Sequence, residues 1–115
     1  MSERTKHVAF ADKQLERAYY SLKRGRSEER QLVSFIDDAI NDLLENPLAG
    51  VIVPKSLWPQ EYVRKHAIDN LRKYNLPNGW RLTYTIFGNN IKITSILLEW
   101  MSHKDYEKRF GYRTR

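Results

Sequence analysis

Residues 71–100, LRKYNLPNGWRLTYTIFGNNIKITSILLEW, decide the fold that we expect for this chain. They contain three runs rich in β-branched and aromatic residues, "LRKYNL", "WRLTYTIF" and "IKITSILLEW", separated by "PNG" and "GNN". Runs of this composition are typical of strands, and connections this short join antiparallel neighbours. We therefore predict an antiparallel meander of three strands.

The first turn of the meander allows two registers. A two-residue turn at "NG" would place Leu76 opposite Arg81, whereas a three-residue loop at "PNG", with Gly79 in the left-handed conformation, places Leu76 opposite Trp80. We predict the longer loop, because it collects apolar side chains on one face of the sheet. These side chains are Tyr74, Leu76, Trp80, Leu82, Tyr84 and Ile86.

The second turn is predicted at Gly88 and the residue after it, and this register pairs Tyr84 with Ile93. The opposite face of the sheet then carries Lys73, Arg81 and Lys92, with small hydroxyl residues between them. Three cations on one face indicate the beginnings of an anion-binding surface.

The N-terminal half predicts a strand followed by two helices. "KHVAFAD" alternates as a short strand does, and the next helix ends at "RGRS". Ser27 is the predicted N-cap of the second helix, which ends at "NP". The apolar side chains at helical spacing are Leu15, Ala18, Tyr19, Leu22, Leu32, Phe35, Ile36, Ala39, Ile40, Leu43 and Leu44. We expect this helical hairpin to pack on the apolar face of the sheet.

Between the second helix and the meander, "LAGVIVPKSLWPQEYVRKHAID" contains two prolines that preclude one continuous element. Only Gln60–His66 is predicted to form a short helix there. No internal repeat or change of composition marks a boundary, so we interpret residues 1–115 as a single α+β domain. Its expected architecture is an N-terminal strand and a helical hairpin packed on an antiparallel sheet that ends in the three-strand meander.

Composition narrows the class of protein. The chain has 115 residues and no cysteine, which argues against a disulfide framework or a cysteine-ligated metal. "MSERTKHVAF" lacks a signal-peptide core, and no apolar run approaches the roughly 20 residues that cross a bilayer, so we expect a cytoplasmic protein without membrane contact. Lysine and arginine number 20 against 14 acidic residues, and the net charge of +6 favours a polyanionic partner.

Several motifs resemble those of the RelE/ParE toxin superfamily. "WRLTYTI" is similar to the penultimate strand of that family, and "IKITSILLEWMSHKDYEK" is similar to its last strand and the histidine, basic and tyrosine ending. "NPLAG" and "VPKSL" resemble the region after its second helix. The order and spacing of these motifs carry the resemblance, which spans most of the chain. The segment 51–69 departs from it, because it is longer than compact members need.

The resemblance implies a reaction and its partners. Ribonuclease members of the family enter the ribosomal A site and cut mRNA by attack of the 2′-hydroxyl on the adjacent phosphate. This chemistry needs a base, cations that stabilise the phosphorane and a proton donor for the leaving 5′ oxygen, but no metal or other cofactor. The expected partners are therefore a cognate antitoxin and mRNA on the ribosome.

The resemblance also assigns roles to individual residues. Arg81 matches the strand arginine that binds the scissile phosphate, and Lys73 matches a basic position on the preceding strand. His103, Lys104 and Tyr106 match the terminal cluster. We expect His103 to be the acid or base, because histidine exchanges a proton near neutral pH.

Two further residues have alternative roles. Glu99 is a candidate carboxylate base ranked below His103, or a partner for a neighbouring lysine. Tyr106 either contacts the RNA or packs on the sheet edge. Other basic residues are expected to add affinity for phosphates. They are Lys55, Lys92, Lys108, Arg109 and Arg113.

Two other functions remain open on the same scaffold, because a fold does not determine an activity. One is inhibition of DNA gyrase, as in ParE-like members, and the other is binding of the ribosome or RNA without cleavage. The histidine, lysine and tyrosine near the end of the chain favour cleavage, since an inhibitor of gyrase requires no acid or base there.

Overall fold

A computed structural model describes residues 4–111. The strands are β1 (Thr5–Phe10), β2 (Val51–Ile52), β3 (Arg72–Asn75), β4 (Arg81–Gly88) and β5 (Lys92–Met101). The helices are α1 (Lys13–Lys23), α2 (Ser27–Glu45), α3 (Gln60–His66) and α4 (His103–Phe110). The α+β class is as predicted, and so are the helical hairpin α1–α2 and the short helix α3. Among the described residues, no helix has both the length and the apolar character that a membrane crossing requires.

The strands form one sheet in the order β1-β5-β4-β3-β2. The pairs β2–β3, β3–β4 and β4–β5 are antiparallel, as the meander predicts, but β1 runs parallel to β5. The prediction of an entirely antiparallel sheet is therefore wrong. Parallel neighbours need a long crossover, and here the helical hairpin and the rest of the sheet lie between the two strands in the chain.

The first turn has the predicted register. Tyr74 lies opposite Leu82, and the amide of Leu76 donates to the carbonyl of Trp80 at 2.8 Å. The conformation of the turn differs from the predicted one, because Asn78 (φ 61°) is left-handed as well as Gly79 (φ 80°). Asparagine tolerates this conformation better than other residues with a side chain.

The second turn lies two residues later than predicted. Tyr84 is opposite Leu97 rather than Ile93. The side chain of Asn89 accepts hydrogen bonds from the amides of Ile91 and Lys92, at 2.8 and 2.9 Å, and so places the turn after Asn89. The shift is even, so each side chain keeps its face of the sheet but moves along it.

A β-bulge interrupts the pairing of β4 with β5. Tyr84 pairs with Leu97 but Thr83 pairs with Glu99, which leaves Leu98 as the extra residue. A bulge re-aims the side chains that follow it. Without it, alternation from Leu97 would turn Glu99 toward the helical hairpin; with it, Glu99 lies on the same face as Thr83.

The helical hairpin covers one face of the sheet, as predicted. Asp12 caps α1 by accepting from the amide of Leu15 at 2.8 Å. Helix α2 begins at Ser27 with Arg26 as its N-cap, one residue before the predicted cap, because Glu29 accepts from the amide of Arg26 at 2.8 Å. The buried cluster consists of Tyr19, Leu32, Val33, Ile36, Ala39, Leu43, Leu76, Leu82, Tyr84 and Leu97. The predicted core residues Phe35, Ile40, Tyr74 and Ile93 are only partly buried.

The opposite face carries a second hydrophobic cluster, under α3 and α4, that we did not predict. Its buried members are Val53, Tyr62, Ile68, Leu71, Leu98, Met101, Tyr106 and Phe110. Helix α4 follows the last strand, where we predicted no helix. Its signals were nevertheless present: Ser102 accepts from the amide of Asp105 at 3.2 Å, and Gly111 ends the helix with φ 66°.

Candidate functional site

Arg81 lies at the first position of β4, where the preceding turn folds back on its side chain. Its Nη1 donates to the carbonyl oxygens of Gly79 at 2.9 Å and of Trp80 at 3.2 Å. Its Nε is buried and has no hydrogen-bond partner within residues 4–111. Backbone carbonyls therefore orient the guanidinium, while part of its donor capacity stays unused.

His103 begins α4 and contacts Arg81 directly. Nη2 of Arg81 lies 3.1 Å from Nδ1 of His103. A guanidinium can only donate, so Nδ1 must be the acceptor and the neutral ring carries its proton on Nε2. The turn and helix approach closely here: a Cβ added to Gly79 would lie 3.3 Å from the Cβ of His103.

Glu107 completes this chain of contacts, although no sequence motif assigned it a role. Its Oε2 lies 3.2 Å from Nε2 of His103, one helical turn away. The signal was the spacing of four residues, which places two side chains on one face of a helix. The imidazole of His103 is therefore in contact at both nitrogens, with Arg81 at Nδ1 and Glu107 at Nε2.

Tyr106 forms a platform beneath two cations. It is 1% exposed, and its ring stacks on Phe110 with 4.4 Å between the centroids. Nζ of Lys73 lies 5.0 Å from the centre of this ring, and Cζ of Arg81 lies 5.7 Å from it. The structure thus favours the packing alternative for Tyr106, which brings Lys73 and Arg81 to one ring.

Glu99 belongs to a separate polar network. Its Oε1 accepts from the hydroxyl of Tyr62 at 2.6 Å and from Nε of Arg109 at 3.2 Å. Arg109 also pairs with Glu61, and the Tyr62 hydroxyl lies 2.9 Å from that of Thr83. Glu99 is therefore an ion-pair partner, and the partner is an arginine rather than a lysine.

Burial and neighbouring charges shift the pKa values of Tyr62 and Arg109 in this network. Burial raises the pKa of the Tyr62 hydroxyl, and the neighbouring charge of Glu99 raises it further. Burial also opposes the charge of Arg109, but hydrogen bonds and charges from Glu61 and Glu99 outweigh it and raise the pKa of Arg109. Arg109 is consequently committed to two carboxylates, which contradicts its expected availability for phosphates.

Three more of the predicted site residues are exposed. Lys104 is exposed beside His103, and Lys108 is exposed further along α4. Lys55 is exposed, with its Nζ 6.0 Å from the ring of Trp58.

Lys92 is on the predicted face but not in the predicted place. It is the first residue of β5, whereas Met101, opposite Arg81, is the last. At the usual rise of about 3.3 Å per residue the two ends of the strand lie about 30 Å apart. Lys92 therefore does not join Arg81, because the second turn lies later than predicted. Arg113 lies outside the described residues.

The arrangement combines two cations with a histidine whose Nδ1 faces Arg81. An anion could bind Nη2 of Arg81 in place of Nδ1 of His103, and Lys73 would add a second positive charge nearby. An imidazole in contact with the same guanidinium could exchange a proton with a group bound there. These are the requirements of phosphate-ester chemistry assisted by an acid or base.

Comparisons with protein-family models, curated proteins and solved structures found no match to this chain. The resemblance to the RelE/ParE superfamily therefore stays a prediction from sequence motifs. Any functional interpretation rests on those motifs and on the geometry around Arg81.

Proposed function

We propose that this chain is a ribosome-dependent mRNA endoribonuclease of a type II toxin–antitoxin system. The observation that supports this proposal best is the 3.1 Å contact between Nη2 of Arg81 and Nδ1 of His103, with Lys73 beside it on the Tyr106 ring. Charge is consistent with an RNA substrate, since the chain carries a net +6.

In the proposed mechanism, the substrate phosphate releases the histidine. A phosphate oxygen accepts a hydrogen bond more strongly than a neutral imidazole does, so it displaces Nδ1 of His103 from Arg81. Nδ1 is then free to accept the proton of the 2′-hydroxyl, while the 2′ oxygen forms a bond to phosphorus. Arg81 and Lys73 stabilise the charge of the phosphorane.

The second half of the reaction expels the 5′ oxygen. The bond between phosphorus and that oxygen breaks, a cyclic 2′,3′-phosphate remains on the upstream fragment, and the 5′ oxygen takes up a proton. Lys104, exposed next to His103, is our candidate donor. Both proton transfers use groups of this chain, and no metal or other cofactor is part of the proposal.

The test is cleavage of mRNA on programmed ribosomes, with the new 5′ ends mapped by primer extension. Wild-type protein is expected to cut the message in the A site, and Arg81→Gln is expected to slow the cut at least about 10²-fold, as for the loss of a positioned donor. Arg17→Gln on the exposed side of α1 is the matched control, because it removes the same charge from the opposite face. An intact message at saturating wild-type protein would refute the proposal.

Inhibition of DNA gyrase is the alternative that the resemblance also allows. It would leave mRNA intact while blocking supercoiling, so supercoiling is assayed in parallel with cleavage. A third outcome, ribosome binding with neither effect, would indicate an inert RNA-binding protein.

A cognate antitoxin is the proposed protein partner. The edge strand β2 and the turn before it expose apolar side chains that an antitoxin would cover: Leu48 is 58% exposed, Val51 55% and Ile52 65%. Exposed edges of this kind accept an added strand or an apolar helix. Co-purification from the native operon tests the partnership, and recovery of the free chain without toxicity on expression would contradict it.

A further inference from the structure

A pocket of about 430 Å³ lies away from the Arg81–His103 contact, where the chain enters α3. We call it the Trp58 pocket. Its lining residues are Lys55, Ser56, Trp58, Gln60, Val63 and Arg64. Of these, only Lys55 was expected to contact phosphate, and the others had no predicted role.

Trp58 is held rigidly in this pocket. Its Nε1 donates to the carbonyl of Val53 at 2.9 Å, and its amide donates to the carbonyl of Lys55 at 3.1 Å. The ring is partly buried against the second hydrophobic cluster, which also contains Tyr106. The indole is therefore pre-organised, and it lies on the same face of the sheet as the candidate site.

The charges around Trp58 are positive. Lys55 and Arg64 line the pocket, none of the carboxylates within residues 4–111 lines it, and Nζ of Lys55 lies 6.0 Å from the indole ring. Glu61 lowers the net charge near Arg64, but it is itself paired with Arg109. A larger groove beside Trp80 is different, because carboxylates such as Asp105 line it and would repel a phosphate.

We propose that the Trp58 pocket binds one unpaired nucleotide of RNA. The base stacks on Trp58, Lys55 and Arg64 contact the flanking phosphates, and Gln60 and Ser56 offer hydrogen bonds. A flat aromatic ring between cations is the usual arrangement for single-stranded nucleic acid, because every base has a face that can stack. An acidic peptide would satisfy the cations but would leave the indole without a flat partner.

This inference rests on the proposed function for the identity of RNA as the ligand, but it requires no cleavage. It is therefore tested without ribosomes, by fluorescence anisotropy of a short labelled oligoadenylate over a series of salt concentrations. A control oligonucleotide of the same length, with abasic positions, offers the same phosphates without bases.

The charge-removing variant is Lys55→Gln with Arg64→Gln, both at exposed positions. For single-stranded nucleic acid, each phosphate contact adds about 0.7 to the magnitude of the slope of log K against log salt concentration. Removing two contacts is therefore expected to lower the magnitude of that slope by about 1.4. Lys13→Gln with Arg17→Gln removes the same charge from the exposed part of α1 and is expected to keep the parent slope. Equal slopes for the two double variants would overturn the proposal.

The stacking variant is Trp58→Leu, with folding verified by circular dichroism. It is expected to bind oligoadenylate about tenfold more weakly and the abasic strand as the parent does. Equal losses for both strands would refute stacking, and if this variant does not fold, the charge-removing variant still decides.

Three further outcomes decide the pocket assignment and the nuclease proposal separately. Failure of the wild-type protein to bind oligoadenylate overturns the pocket assignment. Displacement of the RNA by polyglutamate at equal charge overturns it in favour of an acidic protein ligand. Normal pocket behaviour with uncut mRNA on ribosomes refutes the nuclease and leaves the RNA-binding pocket standing.

Discussion

Arg81 donates a hydrogen bond to Nδ1 of His103 across a distance of 3.1 Å, although the two residues are 22 positions apart in the chain. The contact joins the start of β4 to the start of α4. It commits the acceptor nitrogen of the imidazole to a guanidinium, and Glu107 occupies the other nitrogen at 3.2 Å. Two neighbours thus hold the imidazole of His103, and its tautomer can be measured in the free protein.

The first prediction concerns that tautomer. Neutral His103 is expected to carry its proton on Nε2, because Arg81 can only donate to Nδ1. Long-range proton–nitrogen NMR of the labelled imidazole measures the tautomer, and Arg81→Met is expected to weaken the preference. His7 is the internal control, since its ring contacts the hydroxyl of Thr5, which can donate or accept. A proton found mainly on Nδ1 would contradict the geometry.

The second prediction separates the roles of Arg81 and His103. Arg81→Lys keeps the charge but loses the planar fork, so a large cleavage defect with weaker substrate binding is expected. His103→Gln is expected to slow single-turnover cleavage by about 10²- to 10⁴-fold while ribosome binding stays close to that of the parent. If His103→Gln cuts at the parental rate at every pH, His103 is neither acid nor base, and Lys73 becomes the next candidate.

The third prediction tests the commitment of Arg109. Arg109→Gln is expected to cost about 1 kcal/mol of unfolding free energy, because it removes partly exposed bonds to Glu99 and Glu61. The salt dependence of RNA binding is expected to change little. Denaturant unfolding and salt titration provide the two measurements, with Arg17→Gln on the exposed side of α1 as the control for loss of charge. A fall in the salt slope for Arg109→Gln alone would show that this side chain binds phosphate.

The fourth prediction is a pH dependence at the start of α1. The hydrogen bond from the Leu15 amide, aided by the charge of Lys65, holds the pKa of Asp12 below its ordinary value of 3.8. A lowered carboxyl pKa means that the ionised cap stabilises the fold above 3.8 and that this contribution is lost as the pH falls through the lowered pKa. Asp12→Asn keeps an acceptor but not the charge.

Parent and Asp12→Asn are therefore expected to differ in unfolding free energy at neutral pH and to converge in acid. Asp12→Ala, which also loses the cap, is expected to cost about 1 kcal/mol at neutral pH. Urea unfolding at several pH values measures both differences. A gap between parent and Asp12→Asn that widens in acid would contradict the assigned sign.

The fifth prediction ranks two neighbours on α2. Ile36 is completely buried, so Ile36→Ala is expected to destabilise the fold by about 2–5 kcal/mol. Phe35 is only partly buried, and Phe35→Ala is expected to cost less than the roughly 3–5 kcal/mol typical of a buried phenylalanine. Thermal or urea unfolding of the two variants measures the order, and a larger cost at Phe35 would place it deeper in the core than the structure does.

Local patterns in the sequence determined a large part of this fold. Alternation in residues 71–100 predicted the meander and the faces of its side chains, and helical spacing predicted the hairpin α1–α2. Both signals depend on residues that are only a few positions apart in the sequence. Alternation, together with the choice of the longer loop at "PNG", was sufficient to place Arg81 on one face of the sheet with Lys73.

Tertiary contacts decided the rest. The parallel pairing of β1 with β5 joins segments more than eighty residues apart, and the side chain of Asn89 moved the second turn, which carried Lys92 away from Arg81. The bulge at Leu98 turned Glu99 toward Arg109 and away from the hairpin. Such partners depend on packing between distant segments, and periodicity along the chain carries no information about which of them will meet.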